Sequence, residues 1–149
     1  MAVARSARTI LLIDGHKADR EYWKQCLTIS SPQHVVLEAD TGAAGLAICQ
    51  SQRVDCVVTE LTLPDMSGFE VLVHLVPVAS QPHIAVIMLT TITLPAMATF
   101  ALDSGAQAYL IKARISGDYL DKAVQKALTT VGGSCKRTAM KRSSRLFLE

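Results

Sequence analysis

Two carboxylates, a hydroxyl and an ammonium each come at the end of a short apolar run in this 149-residue sequence. They are Asp14, Glu60, Thr90 and Lys112. If the apolar runs are neighbouring parallel strands, their carboxyl ends meet at one edge of a sheet, where ligands of such folds collect. The four side chains would then form one compact polar site with acidic, hydrogen-bonding and cationic groups.

A histidine offers a second kind of chemistry at the same edge. His16 lies beside Asp14, and one histidine together with the carboxylates of Asp14 and Glu60 can bind a transition metal. The alternative is that His16 is solvated, as residues after a first strand often are. Three further histidines lack partner spacing and are predicted at the surface or at strand ends: His34, His74 and His83.

The elements that would position these residues alternate along the chain. Continuous apolar runs are typical of strands buried on both faces, and the segments between them have helical spacing. The strands are predicted over residues 9–13, 34–37, 54–59, 84–89 and 108–111. The helices are predicted over 17–30, from Asp40 or Thr41 to about 50, over 69–76, from Pro95 to 104–105, and from Ser116 to about Thr130, before Gly132 and Gly133.

This five-fold βα alternation predicts the class of fold. Short apolar strands that alternate with helices form a parallel sheet covered on both faces. Right-handed crossovers then give an α/β, doubly wound, five-stranded parallel sheet, which is a (βα)5 three-layer sandwich.

Composition limits the remaining possibilities. Half the residues are apolar and 19% are charged, as in one globular domain. No apolar run is long enough to span a membrane, and the first eight residues lack the apolar stretch of a signal peptide. The four cysteines form no CxxC pair, which indicates a reducing, cytoplasmic environment.

Charge divides the chain into three predicted parts: an N-terminal extension (1–8), a folded domain (9–130) and a basic tail or linker (131–149). The tail carries five basic residues and one acidic residue, a charge of +4, so residues 1–130 sum to −2 within the overall +2. An acidic body with a basic tail is no footprint of direct nucleic-acid binding. The final Leu148-Glu149 is interpreted as a possible cloning scar.

Four stretches around the strand ends carry a resemblance to a known family. They are ILLIDG at the first strand, VDCVVTELTLPDMSGFEVL around the third, IAVIMLTT at the fourth and GAQAYLIKA at the fifth. From about residue 9 to 128 the chain resembles the receiver domain of two-component response regulators, similar to the chemotaxis regulator. The resemblance implies a flavodoxin-like fold and a role in a phosphorelay.

The acidic half of the site departs from the family pattern. The resemblance implies two acids after the first strand that hold Mg²⁺, and here Asp14 fills the first position while Gly15 lacks the second acid. The phosphoacceptor aspartate is replaced by Glu60, and the metal-binding backbone carbonyl would be that of Thr62.

The positions that bind the phosphoryl group and the aromatic switch position keep the residues that are usual in the family. The resemblance implies that Thr90 and Lys112 bind the phosphoryl group and that Tyr109 is the aromatic switch residue. The proline that usually follows the lysine is replaced by Ala113.

These departures predict a pseudo-receiver, that is, a receiver that is not phosphorylated. Gly15 removes a Mg²⁺ ligand, and the extra methylene of Glu60 displaces the nucleophilic oxygen by roughly 1 Å. Three interpretations of Glu60 remain open. It pairs with Lys112 and freezes the switch; it mimics the phosphorylated state, with Thr90 bonded to it and Tyr109 turned inward; or it keeps residual metal or phosphoryl chemistry.

The predicted function is that of a signal receiver module that acts through protein–protein contacts and is not an enzyme. The alternatives are a phosphotransfer-competent receiver that uses Glu60, or the receiver part of a larger DNA-binding regulator or hybrid sensor kinase. Expected partners are a histidine kinase or an output domain, and a second copy through the face of helix four (Met97, Phe100, Ala101), strand five and helix five. No cofactor is expected, and Mg²⁺ binding is weak at most.

Overall fold

Strands and helices alternate throughout the computed structural model, which describes residues 6–136. The strands are β1 (Thr9–Ile13), β2 (Val35–Ala39), β3 (Cys56–Thr59), β4 (Ala85–Thr90) and β5 (Ala108–Ile111). The helices are α1 (Lys17–Ser30), α2 (Gly42–Ser51), α3 (Gly68–Leu75), α4 (Pro95–Asp103) and α5 (Gly117–Lys136), and a 3₁₀ turn (Lys112–Arg114) links β5 to α5.

The five strands form one parallel sheet in the order β2-β1-β3-β4-β5. One face packs against α1 and α5 in a core that includes Trp23 and Leu120. The other face packs against α2, α3 and α4 in a core that includes Leu72 and Ala101. The predicted doubly wound, three-layer fold is confirmed.

This strand order places the predicted site residues side by side. Ile13 at the end of β1 pairs with Thr59 at the end of β3, so Asp14 and Glu60 leave the sheet as neighbours. Thr90 at the end of β4 pairs with Ile111 at the end of β5, so that Lys112 follows at the same edge. The carboxyl edge of the sheet therefore gathers residues that are far apart in sequence.

The bounds of the central strands differ from the prediction by one or two residues. β3 begins at Cys56, not at residue 54, and β4 runs over 85–90 and not over 84–89. Val54 is buried although it lies outside β3, so hydrophobicity alone does not mark where strand pairing begins. Thr90 is consequently the last residue of a strand and not the first residue of a loop.

The predicted end of the last helix at about residue 130 is wrong. Helix α5 continues through Gly132 and Gly133 to Lys136. Val131, one residue beyond the predicted end, is buried in the core on the α1 side, so the apolar stripe of α5 continues past that end. Each glycine costs only about 1 kcal/mol in a helix, and α5 continues through both of them. The rest of the predicted tail, residues 137–149, lies outside the described residues, as do residues 1–5 of the extension.

Two contacts fix the start of α2. The Thr41 hydroxyl accepts a hydrogen bond from the Ala44 amide (3.0 Å), which selects Thr41 over Asp40 as the cap. The Asp65 carboxylate, from the loop after β3, accepts hydrogen bonds from the amides of Gly42 (2.8 Å) and Ala43 (2.9 Å). The β3–α3 loop is thereby tied to α2.

One residue of the predicted partner face is not available at the surface. Ala101 in α4 is completely buried, whereas Phe100 beside it is half exposed. Among the described helices, none has the length and apolar character needed to cross a membrane.

Candidate functional site

The carboxyl edge of the sheet holds one ammonium group surrounded by three carboxylates. Lys112 Nζ lies 2.7 Å from Asp14 Oδ2, 2.8 Å from Asp19 Oδ2 and 2.9 Å from Glu60 Oε1. The side chain of Lys112 is 9% exposed and that of Glu60 is also 9% exposed. We call these four residues the lysine cluster. The predicted contact between Glu60 and Lys112 is confirmed.

Each member of the lysine cluster comes from a different part of the fold. Asp14 follows β1, Glu60 follows β3 and Lys112 begins the 3₁₀ turn after β5. Asp19 lies in the first turn of α1 and is not among the residues predicted from the sequence. Its side chain reaches the cluster because α1 begins beside the sheet edge, which the spacing of apolar residues does not reveal.

The carboxylates of the lysine cluster also accept hydrogen bonds from backbone amides. Asp14 Oδ1 accepts one from His16 (2.8 Å), and Glu60 Oε2 accepts one from Leu61 (2.7 Å). Charge-assisted hydrogen bonds of this kind are roughly twice as strong as neutral ones. Both oxygens of Asp14 and of Glu60 are therefore engaged by groups of the protein itself.

The protonation of the lysine cluster follows from these contacts. Burial alone would lower the pKa of Lys112, but its hydrogen bonds to Asp14, Asp19 and Glu60 outweigh burial and raise that pKa above its ordinary value. The hydrogen bond from Lys112 lowers the pKa of Asp19, against a smaller opposing effect of burial. Lys112 is therefore a firmly charged cation at neutral pH.

An arginine outside the lysine cluster forms a hydrogen bond to the backbone of one of its acidic members. Arg20 Nη1 donates a hydrogen bond to the backbone carbonyl of Asp14 (2.6 Å), and Arg20 Nε pairs with Glu38 Oε1 (3.0 Å). Lys24 Nζ also contacts Glu38, at 2.9 Å from Oε2. Arg20 is not among the residues predicted from the sequence. The only available signal was its place in α1, one helical turn after His16.

The hypothesis that His16 contributes a metal ligand is wrong for this arrangement. The His16 ring caps α1: Nδ1 accepts a hydrogen bond from the Asp19 amide (3.3 Å) and lies 3.2 Å from Asp19 Oδ1. Its side chain is mostly exposed, and its ring contacts Asp19 and not the carboxylates of Asp14 or Glu60. Within residues 6–136, no group of three histidine, cysteine or carboxylate side chains is arranged to hold a metal ion.

The space around Gly15 is filled by neighbouring residues. A Cβ atom on Gly15 would lie 2.9 Å from both Cγ and Cδ of Pro64, and 3.4 Å from the carbonyl oxygen of Asp40. The first distance is too short for a real contact, so any side chain at Gly15 requires Pro64 to move. Since Asp65 next to it is bonded to the start of α2, the loop resists that movement.

The hydroxyl groups of Thr90 and Tyr109 both form hydrogen bonds to the backbone of one residue in the β4–α4 loop, Ile92. The Thr90 hydroxyl accepts a hydrogen bond from the Ile92 amide (3.2 Å), and the Tyr109 hydroxyl donates one to the Ile92 carbonyl (2.8 Å). Tyr109 is 1% exposed and its ring points into the core on the α2–α4 side. Burial raises the pKa of Tyr109, and the negative charge of Glu60 adds to that effect.

The five-stranded parallel sheet flanked by five helices is the fold of receiver-type α/β proteins, as comparisons with known proteins show. Residues 10–125 match the family described as response regulator receiver domain. The transcriptional regulatory protein UhpA of Escherichia coli strain K12 is 34% identical over 130 residues, which cover 87% of this chain and 62% of UhpA.

Solved structures give the same result. A receiver domain from Clostridium thermocellum superposes with a TM-score of 0.73 at 30% identity, covering 82% of this chain and 94% of that one. The receiver domain of the response regulator NarL from Mycobacterium tuberculosis superposes with a TM-score of 0.74 at 26% identity, with 84% and 98% covered.

The chain belongs to the response regulator receiver domain family of two-component signal transduction. It spans 62% of the length of UhpA.

Proposed function

We propose that this chain is a pseudo-receiver, a signal receiver module that works through protein–protein contacts without phosphorylation of the acceptor position. The observation that carries the proposal is the position of the Lys112 ammonium, which already binds Asp14, Asp19 and Glu60. With all three carboxylates ionised, the lysine cluster has a net charge of −2. A dianionic phosphoryl group would enter against that charge and would compete for Lys112.

The side chains present do not fit a Mg²⁺ ion well. Mg²⁺ requires near-octahedral oxygen ligands at about 2.0–2.1 Å. Asp14 Oδ2 and Glu60 Oε1 are both bound to the ammonium group, and Gly15 supplies no oxygen. A metal ion would have to displace Lys112 from its carboxylates, which supports weak Mg²⁺ binding at most and no resident cofactor.

The contacts of Glu60 favour the frozen interpretation over the active-like one. Mimicry of the phosphorylated state would require Thr90 to donate to Glu60, but the side-chain oxygens of Glu60 contact Lys112 and the Leu61 amide, while the Thr90 hydroxyl accepts a hydrogen bond from the Ile92 amide. Glu60 Oε2 is instead bonded to the amide of Leu61. The inward position of Tyr109 agrees with mimicry, yet a frozen scaffold allows it equally.

A second candidate is that the chain is the receiver part of a longer protein. It is supported by the lengths of the relatives, because the chain covers 62% of the regulator UhpA and 54% of the regulator NarL of Escherichia coli. In that case the partners would be a histidine kinase and an output domain. The face of α4, β5 and α5 would be one surface for such partners or for a second copy.

Phosphorylation by a small donor tests the proposal directly. After incubation with acetyl phosphate and Mg²⁺, intact mass measurement should show no added phosphate on the unmodified chain. The double variant Gly15→Asp, Glu60→Asp should recover labelling in part, since Thr90 and Lys112 remain while Pro64 must shift. Phosphate found on Glu60 of the unmodified chain would show that the protein is a working receiver.

Titration with Mg²⁺ gives a second expected result. Trp23 lines a small cavity together with Asp14 and Glu60, so its fluorescence should report metal binding there. We expect no saturation at low millimolar Mg²⁺, because Lys112 holds the carboxylates and Gly15 contributes none. A dissociation constant below about 1 mM at Asp14 contradicts this expectation.

A further inference from the structure

Asp19 differs from the other two carboxylates of the lysine cluster in its origin and in its exposure. Asp14 and Glu60 follow strands at the sheet edge, whereas Asp19 lies in the first turn of α1. The side chain of Asp19 is 36% exposed, compared with 10% for Asp14 and 9% for Glu60. Asp19 is therefore the acidic member of the cluster that faces solvent.

Asp19 completes the set of acceptors around the Lys112 ammonium group. An ammonium group has three N–H donors and no acceptor. Three carboxylate oxygens, one of them Asp19 Oδ2, lie within 2.9 Å of Lys112 Nζ. No donor of Lys112 is therefore left for a fourth acceptor while Asp19 is in place.

The carboxylate of Asp19 has partners on both sides. Its Oδ2 atom lies 2.8 Å from Lys112 Nζ, and its Oδ1 atom lies 3.2 Å from His16 Nδ1. The hydrogen bond from Lys112 lowers the pKa of Asp19, against a smaller opposing effect of burial. Asp19 is thus ionised at neutral pH and is kept beside the ammonium group by contacts with two residues.

A phosphoryl group at position 60 would need the same ammonium group. Such a group carries about two negative charges and three acceptor oxygens, and Lys112 is in direct contact with the Glu60 carboxylate. Arg20, a second cation near this edge, is already bonded within the fold. A phosphoryl group would consequently compete with Asp19 for Lys112.

We propose that Asp19 is a positioning residue that keeps Lys112 from a phosphoryl group, independently of the changes at positions 15 and 60. Gly15 and Glu60 alter the acid beside β1 and the acceptor, whereas Asp19 acts on the cation that would stabilise the product. The inference rests on the proposed function, since it assigns a further cause to the absence of phosphorylation. Repulsion between one carboxylate and a dianion at the distances of this cluster is on the order of tenfold in an equilibrium or rate, even in water.

Phosphorylation of the full chain with both family acids restored tests this proposal. With acetyl phosphate, a carboxylate oxygen at position 60 attacks phosphorus, the bond from phosphorus to the acetyl oxygen breaks, and acetate leaves. The triple variant Gly15→Asp, Glu60→Asp, Asp19→Asn should be labelled at least about tenfold faster than the double variant Gly15→Asp, Glu60→Asp. Intact mass measurement over time gives both rates.

Two other triple variants separate the effect of charge from an effect on the helix. Asp19→Glu, added to the double variant, keeps the negative charge and should leave labelling as slow as in the double variant. Asp118→Asn is the matched control, because Asp118 is an exposed acid in the first turn of α5, and it should also leave labelling unchanged. Thermal unfolding shows which variants are folded. Asp19→Ala removes the same charge with the best helix former, and it replaces Asp19→Asn if that variant does not fold.

Equal labelling with and without Asp19→Asn would overturn the proposal, and so would the absence of label from both the double and the triple variant. Labelling of the Asp19→Glu variant as fast as that of Asp19→Asn would also overturn it, because the charge would then have no role. Phosphate on the unmodified chain would instead contradict the proposed function, and the unmodified chain is assayed without any of these variants.

Discussion

Replacement of Lys112 by methionine should lower the free energy of unfolding by ~3–5 kcal/mol. The change keeps the length of the side chain and removes the ammonium, which leaves Asp14, Asp19 and Glu60 close together without a cation. Removing one partner of a buried ion pair has an effect of this size because the remaining charge is uncompensated. Urea unfolding followed by Trp23 fluorescence measures it.

The matched control is Lys17→Met. The Lys17 side chain is 78% exposed and lies 3.9 Å from Glu21, so its replacement should change stability by no more than about 0.5 kcal/mol. Equal stability of Lys112→Met and the unmodified protein would mean that the lysine cluster is solvated and contributes little.

The loss in Lys112→Met should also depend on pH. The pKa of Lys112 is raised in the folded state, so its contribution is present below its ordinary value of 10.5 and is lost as pH rises through the folded pKa. The pKa of Asp19 is lowered, so its contribution is present above its ordinary value of 3.8 and is lost as pH falls through the folded pKa. The difference between variant and unmodified protein should therefore be largest between those two values.

Glu60→Gln should destabilise the domain by about 1–3 kcal/mol, less than the change at Lys112 does. The variant removes one charged hydrogen bond from a buried ammonium, while Asp14 and Asp19 still bind Lys112. The control is Glu21→Gln, since the Glu21 side chain is 61% exposed and its replacement should have an effect within about 0.5 kcal/mol. Denaturant unfolding of both variants gives the comparison.

The same variant distinguishes a frozen scaffold from a mimic of the phosphorylated state. In a frozen scaffold Tyr109 stays inward in Glu60→Gln, because its hydroxyl bonds to Ile92 and not to Glu60. Crystal structures of both proteins would show the rotamer. An outward Tyr109 in the variant would mean that Glu60 holds the switch in its active position.

The sequence was sufficient to predict how the site is assembled but not every member of it. Apolar runs locate the sheet, and the carboxyl ends of parallel strands must share one edge, so the meeting of Asp14, Glu60 and Lys112 follows from the pattern. Asp19 escaped prediction because its approach depends on the angle at which α1 leaves the loop after β1. That angle depends on side-chain contacts that apolar spacing does not reveal, such as the His16 cap and the bond from Arg20 to the Asp14 carbonyl.

The predicted boundaries of helices and strands were wrong where local sequence propensity competed with tertiary packing. Gly132 and Gly133 predict a helix end by their own propensity, but Val131 is buried against the core and α5 continues. Strands β3 and β4 are buried along their entire length, so no alternation of polar and apolar residues marks their first paired residue. The burial of Ala101, which was predicted to face a partner, likewise depends on how α4 is rotated against the sheet.

Two hydrogen bonds hold Ile92 in place, one to Thr90 and one from Tyr109. They limit the number of conformations that the domain populates. Swinging Tyr109 out of the core would expose a ring that is 1% accessible and break its hydrogen bond to the Ile92 carbonyl. Burial of such a side chain contributes roughly 1.5–3 kcal/mol and the bond about 0.5–1.5 kcal/mol. The outward form should then make up only on the order of 0.05–3% of molecules at rest. A partner that binds the outward form must supply that difference from its own affinity, whereas one that binds the inward form meets a surface that is already in place.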